Sequence, residues 1–282
     1  MRRPWPGART LVFAALLGAG LWAAVSLGLF EGNGGGGSAG RFFSRALSPS
    51  LVSEAPPPHG GRSLIPFVLE GIVETIVFAA AALGLALAIG VVLGFLGSTA
   101  WWSGDPFGGR SRVTRGLRVL IAGGIHTAIR VLIAGLRSVH ELIWAVLLLA
   151  ALGHGDVTVV MAIALPYSGT VAKIVSELID EAPRGAALAL RGAGASGGQV
   201  FLFGLLPRAL PDLITYSFYQ FECALRSSAV IGFFGFPTLG AFIAASFENL
   251  HYGEVWTYLY ALLALILVVE LWSGAIRRRL AR

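Results

Sequence analysis

Charge, lysine and cysteine are all scarce in this chain. Only 13% of its 282 residues are charged, about half of the roughly 25% usual in a soluble domain. That leaves too little polar surface to clothe a soluble fold of this length. Lys173 is the only lysine, and no Gly-x-x-x-x-Gly-Lys-Ser/Thr surrounds it, so the chain has no P-loop with which to bind ATP. The single cysteine, Cys223, excludes an internal disulfide framework. No Cys/His set has the spacing of a metal site. The five histidines (His59, His126, His140, His154 and His251) are scattered, and an intramembrane enzyme would need a catalytic constellation that they do not form. No catalytic residue, metal ligand or cofactor is therefore assigned.

What the chain has instead is apolar length. Hydrophobic residues make up 56% of it, and several runs approach the ~20 residues that cross a bilayer as helix. Backbone polar groups in lipid must be satisfied within the segment, so such runs are helices. The expected fold is an all-α polytopic membrane protein of about six spans: Leu11–Phe30, Phe67–Leu96, Ser138–Leu152, Val157–Ile174, Ala209–Phe233 and Glu254–Ile276. Leu11–Phe30 is longer than a signal-peptide core and reads as a retained first span. The stretch Leu117–Ala134 reads as a helix near the inner surface or entering at a slant, and Pro166 as a kink. Residues 1–63 form one region, a helix with an external loop, and 64–282 a second, the main transmembrane domain.

The net charge is +6. The arginines sit at termini and in short loops: Arg2, Arg3 and Arg9, then Arg110, Arg112, Arg115 and Arg118, then Arg277–Arg279 and Arg282. This is the positive-inside pattern. It places both termini in the cytoplasm and makes the bilayer, not nucleic acid, the partner of the basic charge.

Two groups of ionisable residues fall near membrane depth, where charge is costly and usually functional. Glu222 and Arg226 are spaced i, i+4 with the carboxylate first, the favourable order for a helical pair. They either lock neighbouring helices or line a pathway. Arg137, His140 and Glu141 form a polar cluster at the start of the third span and suit a gate or a structural role. Between the fourth and fifth spans, residues 181–208 form a polar, Gly-rich, helix-compatible interruption ending in Leu206-Pro207, where Pro207 reads as a break from the fifth span. Its form suits a grip for a soluble partner.

This segment resembles the cytoplasmic loop of bacterial ABC importer permeases, whose pattern is Glu-Ala-Ala, three residues, Gly, nine residues, then Ile-x-Leu-Pro. Ala189, Gly194, Leu206 and Pro207 match in register, with Leu188 in place of the Glu and Gly204 in place of the Ile. Further residues resemble the phosphonate/phosphite branch: Leu136-Arg-Ser-Val-His-Glu-Leu-Ile-Trp-Ala145 with His140 in place of Pro, Arg191-Gly-Ala-Gly-Ala-Ser196, Phe221-Glu-Cys-Ala-Leu-Arg226 and Val230-Ile-Gly232. The likeness runs from about residue 40 to the C-terminus. Gly235-Phe-Pro-Thr-Leu-Gly240 departs from the glycine-rich run usual there.

The resemblance implies a type I (MetI-like) importer permease in the bacterial cytoplasmic (inner) membrane. It implies a pore of two copies of the chain, two separate ABC ATPase subunits that hold ATP and Mg, and a periplasmic or lipid-anchored solute-binding protein. Ala189, Gly194, Ala195, Leu206 and Pro207 would couple to the ATPase, and Glu222, Arg226, Gly232 and Gly235 would lie on the substrate pathway. The solute would be a phosphonate- or phosphite-like oxyanion. The alternatives are the same machine for an amino acid or other organic anion, and an ion-coupled secondary transporter, whose inverted repeats with broken helices are not visible in the sequence.

Overall fold

The computed structural model describes residues 6–26, 36–56, 60–99, 112–181 and 185–280. The basic residues Arg2, Arg3, Arg110 and Arg282 lie outside these stretches. The chain divides into two compact units, Met1–Pro49 and Ser50–Arg282. The first contains α1 (Pro6–Ser26), α2 (Gly36–Ser44) and a 3-10 turn, Arg45–Leu47. Helix α1 falls on the expected first span, whose last residues, 27–30, lie outside the described stretches. Its side chains Leu11, Phe13, Leu17 and Trp22 are exposed.

The second unit contains α3 (Ile65–Gly97), α4 (Arg112–Ser138), α5 (Glu141–Leu152), α6 (Asp156–Glu181), α7 (Gly185–Gly192), α8 (Leu206–Ile231), α9 (Leu239–Glu248) and α10 (Tyr252–Leu280). Among the described residues the only sheet-like pairing is an isolated bridge, Val52 to Ser63. Helices α3, α6 and α10 are each long and apolar enough to cross a membrane. Two bent pairs, α4 with α5 and α8 with α9, bring the number of candidate spans in this unit to five.

The unit is built on α3 and α6. Helix α3 buries a stripe of small residues at intervals of three and four: Gly71, Thr75, Ala79, Ala82, Ala86, Gly90, Gly94 and Gly97. Lipid offers little hydrophobic drive between helices, so close backbone approach and dispersion must supply the attraction. The approach here is tight. A Cβ on Gly90 would lie 2.6 Å from Val171 Cγ1, and one on Gly94 would lie 2.7 Å from the Ala172 carbonyl oxygen. Helix α6 runs unbroken through Pro166. The ends of α3 and α6 are sewn together, since Thr99 donates from its amide and its hydroxyl to the Asp180 carboxylate, at 3.2 and 2.9 Å.

Helices α4 and α5 meet at 94°. The break falls at Val139-His140, and the cause is local. His140 has extended backbone angles and its Nδ1 accepts from the Leu142 amide at 3.3 Å, so it caps α5. It stands at the position of the Pro in the phosphonate-type stretch that this one resembles. Alone, α5 is about 18 Å long at ~1.5 Å per residue, too short to span about 30 Å of hydrocarbon. The expected third span is thus a half-length helix carried on a near-perpendicular one.

The second break, at 42°, is a glycine joint. Gly235 has φ +89°, a backbone conformation open to glycine. Gly232 and Gly240 lie against each other, Gly232 also under the Thr238 hydroxyl and Gly240 on the Ala229 carbonyl. Thr75 of α3 closes the joint from the side. Its hydroxyl accepts from the Leu239 amide at 3.2 Å, and its carbonyl accepts from the Ser228 hydroxyl at 3.0 Å.

Candidate functional site

Residues 185–207 make a compact, partly apolar projection. Helix α7 ends in a Schellman-type stop: the Ala195 amide donates to the Leu190 carbonyl at 3.0 Å, with Gly194 between them at φ +87°. A new helical turn then starts in a reciprocal capping box. The Ser196 amide donates to Gln199 Oε1 at 2.8 Å, and the Gln199 amide donates to Ser196 Oγ at 3.4 Å. Residues Val200–Leu205 are wound as π-helix and lead directly into α8. Against the sequence expectation, Pro207 therefore does not break this segment from the span. It sits just past the point where the winding changes from π to α.

The departures from the family pattern fit together here. A Cβ on Gly204 would lie 3.1 Å from Leu190 Cδ1. Leu190, where the pattern has its second Ala, thus occupies the space beside Gly204, where the pattern has Ile. Ala187, Val200 and Leu205 pack with Val171, Val175 and Ile179 of α6, fixing the projection to the bundle. Its outer side exposes Leu188, Leu202 and Phe203. Leu188, in place of the family's Glu, makes this surface apolar.

The charged residues of α8 are arranged differently from the sequence expectation. Glu222 does not pair with Arg226. Its buried carboxylate takes Arg277 of α10 at 3.4 Å. Arg226 donates from Nε to the Glu222 backbone carbonyl at 3.5 Å, and its side chain is exposed. From Glu254 to Arg277, α10 runs about 34 Å at ~1.5 Å per residue, a full hydrocarbon thickness. The pair therefore lies near the end of α10 remote from the Glu254 anchor, not at half depth.

Glu141 and His140 do come together, at 3.5 Å, and recruit two residues the sequence reading missed. Ser227 of α8 donates its hydroxyl proton to Glu141 Oε1 at 2.7 Å. Its oxygen is 2.8 Å from the Tyr167 hydroxyl on α6. A serine has one proton to give, so Tyr167 is the donor in the second bond. Three helices meet in this chain of hydroxyls. The signal was a hydroxyl on an apolar helix face, too common to single out without the fold. Arg137, four residues before Glu141, is exposed. Gly232 is buried and Gly235 is exposed beside His154.

At the opposite end of the unit, Glu254 is a buried anchor. It accepts from Ser53 Oγ at 3.1 Å, the Glu54 amide at 2.6 Å and Ser246 Oγ at 2.9 Å. A cavity of about 330 Å³ adjoins it, lined in part by Arg62, Phe67, Phe242, Asn249 and Tyr258. Among the described residues no cluster of three or more His, Cys, Asp or Glu is placed to hold a metal ion.

Residues 123–282 match the family of binding-protein-dependent transport system inner membrane components. The chain belongs to that family. This transport component is 30% identical over 231 residues to the phosphite transport system permease protein PtxC of Stutzerimonas stutzeri, covering 81% of this chain and 76% of that one. It is 31% identical over 144 residues to the phosphate-import permease protein PhnE of Mycolicibacterium smegmatis, covering 51% of this chain and 27% of the relative. Its fold resembles that of a chain of the MetNI methionine ABC transporter in an inward-facing form, with a TM-score of 0.63, 20% identity, and coverage of 78% of this chain and 98% of that one. The expected MetI-like permease architecture is therefore present, and the protein is a membrane-embedded ABC permease component.

Proposed function

We propose that this permease component forms, as two copies, the pore of an ATP-driven importer for a phosphite- or phosphonate-like oxyanion in a bacterial cytoplasmic membrane. Two ATPase subunits, which hold the ATP and Mg, dock at residues 185–207. A periplasmic or lipid-anchored binding protein delivers the solute at the far end, and both termini lie on the ATPase side. The observation that carries this reading is the coupling segment itself. Its stop, capping box and π-helix form one rigid piece, continuous with α8, which bears Arg226. A push on the exposed Leu188, Leu202 and Phe203 surface is thereby delivered along a spanning helix. The phosphite and phosphate permeases among its relatives support the solute class.

The deciding experiment reconstitutes the chain with a cognate ABC ATPase and solute-binding protein and follows uptake of phosphite and methylphosphonate. Uptake should require all three components and ATP. ATP hydrolysis by the chain alone, or ion-driven uptake without an ATPase, overturns the reading. Preferential uptake of an amino acid overturns the solute class and leaves the machine in place.

A further inference from the structure

The cavity of about 330 Å³ at the Glu254 end is lined by charges of both signs, Arg62 and Glu254. They are tied to one residue. The Ser53 amide donates to the Arg62 carbonyl at 2.8 Å, and the Ser53 hydroxyl donates to Glu254 Oε1 at 3.1 Å. Even so, among the described residues Arg62 forms no ion pair with Glu254 or with any other carboxylate. Two opposite charges thus share one cavity without touching. The Glu254 carboxylate also has capacity to spare, since an ionised carboxylate offers about four acceptor sites. Oε1 takes Ser53 and the Glu54 amide and faces His251 Nδ1 at 3.6 Å. Oε2 takes only the Ser246 hydroxyl, at 2.9 Å.

Much of the remaining lining is aromatic. Phe67 and Phe242 lie 6.0 Å apart by ring centroid, and Phe242 stacks on Tyr258 at 5.4 Å. Aromatic faces attract cations. The level of the cavity in the bilayer follows from the same helices. Phe67 is in the first turn of α3 and Tyr258 in the second turn of α10, two helices long and apolar enough to span. Tyr252, Trp256 and Tyr260 recur one turn apart on that stretch of α10, with the rings of Trp256 and Tyr260 5.5 Å apart. Tyrosine and tryptophan collect where hydrocarbon meets water. The cavity therefore sits at headgroup level, and Phe67, 38% exposed, carries its edge to the surface of a spanning helix.

We propose that this cavity binds the headgroup of a phospholipid that carries a primary ammonium beside its phosphate, as phosphatidylethanolamine does, in the leaflet remote from the coupling segment. The ammonium donates to Glu254 Oε2 beside the Phe242 and Tyr258 rings. The planar fork of Arg62 takes two phosphate oxygens, and the Asn249 amide supplies a further donor. The volume lies within the ~300–1,000 Å³ range of small-ligand sites. A glycerol headgroup offers Glu254 no cation, and a choline headgroup offers it no N–H. Bound there, the lipid bridges the loop 50–63 to α10. The site is independent of the transported solute.

The test titrates the full-length chain in maltoside micelles with phosphatidylethanolamine, phosphatidylcholine or phosphatidylglycerol of identical acyl chains, and counts bound lipid by native mass spectrometry. The ethanolamine lipid should bind at least about tenfold more tightly than the other two, the worth of one charge-assisted hydrogen bond. Arg62→Gln should weaken it by roughly tenfold, Arg62→Lys by much less, and Arg208→Gln, at the coupling end, not at all. Glu254→Gln should bring the three lipids level. Because that change also loosens the loop, Ser53→Ala is measured beside it. It removes one anchoring bond, keeps the carboxylate, and should keep the ethanolamine preference. Equal binding of the three lipids, tighter binding of phosphatidylglycerol, or an Arg62→Gln chain that binds like the wild type overturns the site. A preference lost equally in Glu254→Gln and Ser53→Ala overturns the contact with Glu254. Soluble phosphoethanolamine carries the same two charges without acyl chains and should compete only weakly. If it displaces the lipid at micromolar concentration, the cavity belongs to a free zwitterion and the lipid assignment fails.

Discussion

Arg277, three residues from the end of α10, pairs with Glu222 of α8 at 3.4 Å, while Arg226, one turn from Glu222 on its own helix, reaches only the Glu222 backbone. The two helices are thus joined by a charge contact between residues far apart in the sequence. Removing one partner of a buried pair costs about 3–5 kcal/mol. Because Arg277 is 31% exposed, its loss should cost less, about 1–2 kcal/mol. A double-mutant cycle read by thermal unfolding in detergent should give coupling between Glu222→Gln and Arg277→Gln, and close to none between Glu222→Gln and Arg226→Gln. Coupling with Arg226 and none with Arg277 would show that the i, i+4 pair is the real one.

The α3–α6 contact makes a sharper demand. Gly94→Val places its side chain on Val175 and on the Ala172 carbonyl, and overpacking of this kind costs about 1–3 kcal/mol. Gly84 has open space around it, so Gly84→Ala should be neutral or stabilising by up to about 1 kcal/mol through helix propensity. Monodispersity and melting temperature of the purified chain distinguish the two. A Gly94→Val protein as stable as wild type would refute the close approach.

These outcomes bear on how much the sequence reveals. The helices were legible because apolar length is a local property, and the sequence already divided residues 117–152 into a slanting helix, Leu117–Ala134, and a separate span from Ser138. Arg277 was visible only as one of a basic cluster, because nothing local says which helix it meets. Thr75, Ser227 and Tyr167 were missed for the same reason: a hydroxyl in an apolar run is silent until a neighbour presents its partner. Pro207 was read as a break, but the helix runs on across it, its winding changing from π to α just before. Gly194 was the reverse case: its register with Ala189, Leu206 and Pro207 is short-range, and the coupling role proposed for this segment rests on it.

Gly194 stands at φ +87° with nothing within 4 Å of its would-be side chain. Substitution there should act through the backbone alone. Gly194→Ala should raise the energy of the turn by about 1–2 kcal/mol, and Gly194→Asn should be tolerated better because asparagine visits this region. Co-purification of the ATPase subunit should fall in the order Gly, Asn, Ala. Asn and Ala variants that behave alike would mean the turn's conformation does not matter for docking.

Glu254→Gln keeps the size of the anchor and removes its charge, and Glu254→Ala removes it altogether. With its acceptor gone, the Glu54 amide should exchange with solvent faster by at least about tenfold, since a lost charge-assisted bond is worth about 1.5–3 kcal/mol. Hydrogen exchange over residues 50–56 measures this. Unchanged protection would show that the loop is held by other contacts.

That same anchor ties residue 54 to a carboxylate 200 positions later. While the chain is being made, the segment before α3 leaves the ribosome long before Glu254 exists. It must wait, unsatisfied, through the insertion of every helix between. Its final shape is therefore set by α10, the most C-terminal of the described helices, and a chain halted short of α10 would present that loop to proteases and chaperones as a mark of incompleteness.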